Sequence, residues 1–216
     1  MLANLEYRDD GCSARPAARS LALLLLAAAV LAAEPRHYRI EPHPDSRFAL
    51  QVDKTGLMRG KKHLFVFERY VGRLEYDPGN PAESRVELTI ESGSLIVTDD
   101  WVSEKDRAKI SDEALNNKLA AGKYPEMRFR SGSIRAAGGA DRYEVRGELT
   151  IRDLARPVVV QVTLREEGEG ILLFDGEAIV KMTDYGMKPP SAALGLIGTK
   201  DEMLLHFLLR ALPASP

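Results

Sequence analysis

A chain of 216 residues with 44% hydrophobic and 29% charged residues has enough apolar material for one sizeable core. Its formal charge of -2 excludes the broad basic surface that nucleic-acid phosphates call for. Cys12 is the single cysteine and lies upstream of an apolar run, so the rest of the chain holds no disulfide, thiolate metal ligand or catalytic thiol.

Arg15 and Arg19 precede the apolar run Leu21 to Ala33, and Glu34 and Pro35 break it. The run is 13 residues long, short of the roughly 20 that a helix needs to cross a bilayer. With Val30 and Ala32 as small residues before the break, residues 1–33 read as a signal peptide and residues 34–216 as one domain. A periplasmic or secreted product is expected, with no stable membrane insertion after cleavage. Cleavage removes Arg8, Arg15 and Arg19 together with Glu6, Asp9 and Asp10, so the charge balance is unchanged.

Beyond the break, His37 to Ile40 is extended, and Pro42, Pro44, Asp45 and Ser46 turn the chain into Phe48, Leu50 and Val52 at alternate positions. The stretch Lys54 to His63 resists assignment. Leu64 to Tyr76 is a long aromatic strand that Gly72 lets bend, and Val86, Leu88 and Ile90 alternate with charged or hydroxyl residues in the next. From Trp101 to Gly122 the period changes. Ser103 and Asp106 resemble a capping box, Ala108, Ile110, Ala114, Leu115 and Leu119 recur at helical spacing, and Gly122 is the expected terminator.

Three successive strands follow, near Met127 to Ile134, Tyr143 to Ile151 and Val158 to Leu164, joined by turns at Gly138-Gly139 and at Asp153 to Pro157. Gly168 and Gly170 introduce a strand from Ile171 to Val180, Asp184 to Gly198 is a loop, and Met203 to Arg210 closes the series. The reading is all-β: eight antiparallel strands with one covering helical segment between the third and fourth. Such a set suits a closed barrel, because closure leaves no strand edge unpaired.

Strand parity names the inward face: Phe48, Leu50, Val52, Val86, Leu88, Ile90, Met127, Phe129, Val145, Leu149, Ile151, Val160, Val162, Phe174, Ala178, Leu205 and Phe207. These residues pack a core or line a tunnel, and parity does not separate the two.

Four segments carry a resemblance. They are Tyr38-Arg39-Ile40-Glu41-Pro42 with Asp45-Ser46-Arg47-Phe48, Tyr124 to Ser131, Tyr143 to Asp153, and the Thr183-Asp184-Tyr185-Gly186 turn. In order and spacing they resemble the YceI-like family of exported lipid- and polyisoprenoid-binding proteins. The resemblance implies a lipocalin-like barrel whose apolar interior holds a long-chain isoprenoid of the polyprenyl or isoprenoid quinone type, for carriage or storage. The inward residues, Ala178 aside, then become ligand contacts. On the same footing Arg59, Lys61, Lys62 and His63 are candidates for a charged head group, with a solvated basic loop as the alternative. Asp153 stands where family members often have glycine, so that turn is expected to differ in shape.

Other chemistries find little support. His37, His43, His63 and His206 lack zinc-type spacing, so no metal site is expected. The serines lack the pattern of an activated nucleophile, and no glycine-rich loop precedes a helix to hold a nucleotide phosphate. No catalytic set and no cofactor are expected, which favours a binding module over an enzyme or stress-response factor acting on an isoprenoid lipid. Assembly as a homodimer is left open.

Overall fold

The computed structural model describes residues 35–139 and 141–214; the expected signal peptide, residues 1–33, lies outside the described residues. The alternating segments form one antiparallel sheet of twelve strands. These are β1 (Arg36–Ile40), β2 (Arg47–Gly56), β3 (Lys62–Phe67), β4 (Tyr70–Tyr76), β5 (Arg85–Glu91), β6 (Leu95–Val97), β7 (Glu126–Ala136), β8 (Arg142–Ile151), β9 (Leu154–Glu166), β10 (Leu172–Lys181), β11 (Ser191–Ala192) and β12 (Ile197–Pro213). One helix, α1 (Glu104–Asp112), continues into a π-helical turn, Glu113–Lys118.

The ladder runs β1-β4-β5-β7-β8-β9-β10-β12, and β12 returns to β1 through Tyr38↔Pro213 and Ile40↔Ala211. Earlier in its length β12 pairs with β2, which leads to β3 and β6. So β1 with β2, β3 with β4, and β5 with β6 each act as one barrel strand broken midway. Counted this way the barrel is closed, antiparallel and eight-stranded. Among the described residues β6 has no second ladder partner, and α1 packs against it.

Several boundaries differ from expectation. Leu64 to Tyr76 breaks at Glu68 and Arg69, where the Arg69 carbonyl accepts from the Glu91 amide (3.0 Å) and the Arg69 side chain pairs with the Glu91 carboxylate (2.6 Å). Gly72 instead stays within β4, and a Cβ there would press on the Glu87 carbonyl and the Leu88 and Ile40 side chains. The unassigned stretch after Lys54 is the end of β2, a turn, and the start of β3. β9 begins at Leu154, straight after a two-residue turn in which Arg152 (φ 52) and Asp153 (φ 63) are both left-handed. That geometry matches strand twist, and aspartate tolerates it.

Pro157 therefore lies inside β9, opposite Glu148. Ladder alternation from the Ile151↔Leu154 pair turns its nitrogen away from β8, so no ladder bond is lost there. Ser103 caps α1 as expected, its Oγ accepting from the Asp106 amide at 3.2 Å. Gly122 does not end the helical segment; Ala120 does, at φ 49.

The β9–β10 ladder stops at Gln161↔Glu177, although both strands run on. The turn Thr183–Tyr185 packs on both at that point. Tyr185, 1% exposed, fills the gap, and burial pushes its phenol from 10.0 up to about 12. An unfolded chain ionises this phenol first, so its contribution is complete below pH 10 and is lost as pH rises through about 12. Tyr185→Phe is expected to flatten the alkaline limb of stability by about 2–3 kcal/mol between those limits, read from urea unfolding at stepped pH. Tyr70 and Tyr76, also raised by burial, leave a residual slope.

Candidate functional site

Alternate side chains of every long strand turn inward, and the lumen they enclose divides into two chambers. The narrower has a volume of about 130 Å³ and is walled by residues such as Leu74, Val86, Phe129, Val145, Val160 and Phe174. The wider, about 270 Å³, lies towards α1 and is walled by Leu50, Val52, Met127, Ile151, Val180 and Met203 among others. Phe48, Ile90, Leu149 and Leu205 border both and form the waist between them. Phe48 is fixed there by Phe67, Tyr70 and Phe207, with ring centroids 5.8, 6.0 and 6.0 Å away.

Two glycines shape the wall. A Cβ on Gly147 would collide with the Phe129 ring and the Arg130 carbonyl, and one on Gly176 with the Phe207 ring. The rings lie over the glycines of neighbouring strands, an arrangement that fills the surface a missing side chain leaves bare.

Every inward apolar position named from the sequence borders one chamber or the other. The basic stretch does not gather. Arg59 is exposed on the turn, Lys61 lies over the Trp101 ring at 5.5 Å, and Lys62 points outward to donate to Gln51 at 3.1 Å. His63, of opposite parity to Lys62, is 7% exposed and borders the wider chamber.

His63 Nδ1 lies 2.5 Å from an oxygen of the buried Asp99, whose other oxygen accepts from the Leu64 amide at 2.7 Å. The carboxylate accepts in both bonds, which assigns the ring proton to Nδ1. Trp101 stacks on the imidazole at 5.3 Å and 23°, and its indole N–H donates to the Lys62 carbonyl at 2.9 Å.

The wider chamber is also bordered by polar residues that sequence reasoning missed: Lys54, Lys109, Glu113, Lys118 and Thr199. Lys54 had a signal, since it continues the inward parity of Phe48, Leu50 and Val52. Burial holds its ammonium below the usual lysine range, against the pull of the Asp99 carboxylate. Thr199 faces it across the β2–β12 ladder, and its buried Oγ1 has no hydrogen-bond partner among the described residues. Lys118 is tied to Glu113 (3.0 Å) and to the Lys188 carbonyl (2.8 Å). The narrower chamber, by contrast, is almost wholly apolar. The arrangement suits an amphiphile with a long apolar part, and the charged groups sit at one end of the lumen only.

Asp99→Ala should leave His63 and the Leu64 amide without their acceptor, at a cost of about 2–4 kcal/mol. Urea unfolding followed by the single tryptophan, Trp101, measures the loss, and native emission should shift to the red as the indole loses its stacked neighbour.

A family model described as the YceI-like domain matches residues 38–211. A UPF0312 protein of Photorhabdus laumondii is 30% identical over 174 residues, covering 77% of this chain and 82% of its own. Among solved structures, Burkholderia cenocepacia BcnA shares the fold at a TM-score of 0.61 and 22% identity, over 76% of this chain and 95% of that one. A structure described as a polyisoprenoid binding domain from Saccharophagus degradans superposes at 0.57 with 11% identity, over 82% of this chain and 98% of that one.

Proposed function

This chain belongs to the YceI-like family, and we propose that it is an exported protein that holds a long-chain isoprenoid lipid in its lumen, for carriage or storage rather than for catalysis. The observation that carries this reading is the pair of apolar chambers joined at a waist. An apolar void of about 150 Å³ stays dry and accepts a hydrocarbon guest, and each methylene taken from water gains about 0.8 kcal/mol. An empty chamber also leaves its wall atoms without dispersion partners. The Saccharophagus degradans domain of the same fold, described as polyisoprenoid-binding, supports the ligand class. The short apolar run at residues 21–33 supports export to the periplasm or beyond.

The distribution of polar groups gives the ligand a direction. The apolar end belongs in the narrow chamber and a polar end beside Lys54, His63 and Thr199 in the wider one. Of the basic stretch Arg59, Lys61, Lys62 and His63, weighed from the sequence as a head-group site or a solvated loop, only His63 belongs to this inward set.

Organic extraction of the purified chain followed by mass spectrometry tests the reading, with an isoprenoid in stoichiometric yield as the expected result. A lipid-free protein that also takes up no added polyprenol would overturn it. Leu149→Glu, at the waist, should abolish retention and lower stability by several kcal/mol, because the new carboxylate has no partner. Leu205→Phe should block the waist while keeping the barrel folded. Changes at the exposed Glu148 and Gln161 should leave retention unaltered.

A further inference from the structure

The end of the barrel that surrounds the wider chamber carries a lip made of two loops. One joins β2 to β3, and the other runs from Gly186 to β12. The Leu57 amide donates to the Leu196 carbonyl at 2.9 Å, and the approach requires Gly56, since a Cβ there would collide with that carbonyl. Lys54, Pro190 and Thr199, at the roots of these loops, border the wider chamber.

Three leucines stand out from the lip into solvent. Leu57 is 76% exposed, Leu194 107% and Leu196 58%. Leu194 is held at φ 55 between Ala193 (φ 51) and Gly195 (φ 88). A bulky residue in the left-handed region is unfavourable by roughly 1–2 kcal/mol, and here the strain projects an apolar side chain away from the core. Folding alone gives no reason for that combination.

The charge of the lip is one-sided. From Lys54 to Lys62 the chain carries Lys54, Arg59, Lys61 and Lys62 with no acid, and from Gly186 to Lys200 it carries Lys188 and Lys200 with no acid. Lys200 is answered by Asp53 at 3.0 Å and Lys62 by Gln51; Arg59 and Lys188 are exposed, and no side-chain acid pairs with them among the described residues. At the far end of the barrel the turns reverse the sign. Asp77 and Glu83, and Glu167 and Glu169, lie in turns without lysine or arginine, with Arg210 offsetting Glu167.

Exposed leucines ringed by cations are the features by which a protein sits on a bilayer with anionic head groups: the leucines enter the interface while the cations meet lipid phosphates. We propose that the lip formed by Leu57, Leu194, Leu196, Arg59, Lys61 and Lys188 docks on an anionic membrane surface and presents the mouth of the wider chamber to the lipids. The inference goes beyond the lumen's cargo, because docking is a property of the outer surface and holds for the empty barrel.

Co-sedimentation of the purified chain with phosphatidylcholine vesicles, with and without phosphatidylglycerol, tests this. Every comparison is between variants of one chain, so any contribution from residues 1–33 cancels. Binding should favour the anionic vesicles and weaken with salt. Leu57→Ser, Leu194→Ser and Leu196→Ser together should lower partitioning about tenfold or more. Arg59→Ala, Lys61→Ala and Lys188→Ala should remove the preference for phosphatidylglycerol.

Leu194→Asn separates docking from folding, since asparagine suits the left-handed backbone: vesicle binding should fall while Tm holds or rises. Wild-type partitioning by the triple serine variant would overturn the proposal. So would a serine variant whose mass by light scattering drops from dimer to monomer with vesicle binding intact, which would assign the leucines to a second copy of the chain. Uptake of polyprenol from detergent, measured on the same variants, should be unchanged, so failure of docking and failure of the lipid-carrier reading give different results.

Discussion

The ladder bonds of β12 are the constraint on which the rest depends. This strand of 17 residues pairs with β10 from Ala211 back to Glu202, with β2 from Leu208 back to Ile197, and with β1 at its end. Remove it and β1, β2 and β10 become open edges, and the inner faces they carry meet water. Because side chains alternate, Met203, Leu205, Phe207 and Leu209 of this one strand reach both chambers and the waist. The register shift between Thr199 and Met203 interrupts the alternation where the lumen ends. There Lys200 turns to Asp53, and Asp201 accepts from the Thr183 amide and hydroxyl at 2.9 and 2.6 Å. One strand thus closes the barrel, supplies its wall and anchors its mouth.

Where the period of two was unbroken, as in Phe48 to Val52, Val86 to Ile90 and Val145 to Ile151, the sequence named wall positions correctly. A one-residue error would have reversed every side chain, so agreement over several strands shows how strongly a buried face specifies register. The misses have physical causes as well. The strand breaks at Glu68 and Arg69, where the Glu68 amide donates to the Ser94 carbonyl and Arg69 pairs with Glu91, 22 residues away, with no glycine or proline to mark it. Pro157 reads as a turn residue, and only the absence of a partner beyond β9 lets it lie in a strand. Asp99 and His63 are separated by 36 residues, which no local pattern reports.

The basic stretch shows a different failure. Composition groups Arg59, Lys61, Lys62 and His63, whereas the pleat separates them: the hairpin turns the first away, and Lys62 and His63 take opposite faces of β3. The inward imidazole is tolerated because Asp99 accepts its proton donor and Trp101 covers its face. A polar group on an apolar wall needs such support, and Thr199 Oγ1, which lacks it, marks where the lumen's wall is least satisfied. Polarity is therefore concentrated in the chamber that opens at the lip, while the far chamber stays apolar.

The seam between β9 and β10 gives the barrel an uneven stiffness. Past Gln161↔Glu177 the two strands are held by the Tyr185 plug and not by a ladder, so parting them there sacrifices packing but no backbone bond. Elsewhere, except beside β6, whose free side α1 covers, the circumference resists expansion through rows of paired amides. Strain from an oversized guest would thus be relieved first along Val158 and Val160 on one side and Ala178 and Val180 on the other, all of which border the lumen. The girth of the container is elastic along this line, and Pro157 and the side chains of Arg156 and Lys181 keep it from recruiting a foreign strand when it opens.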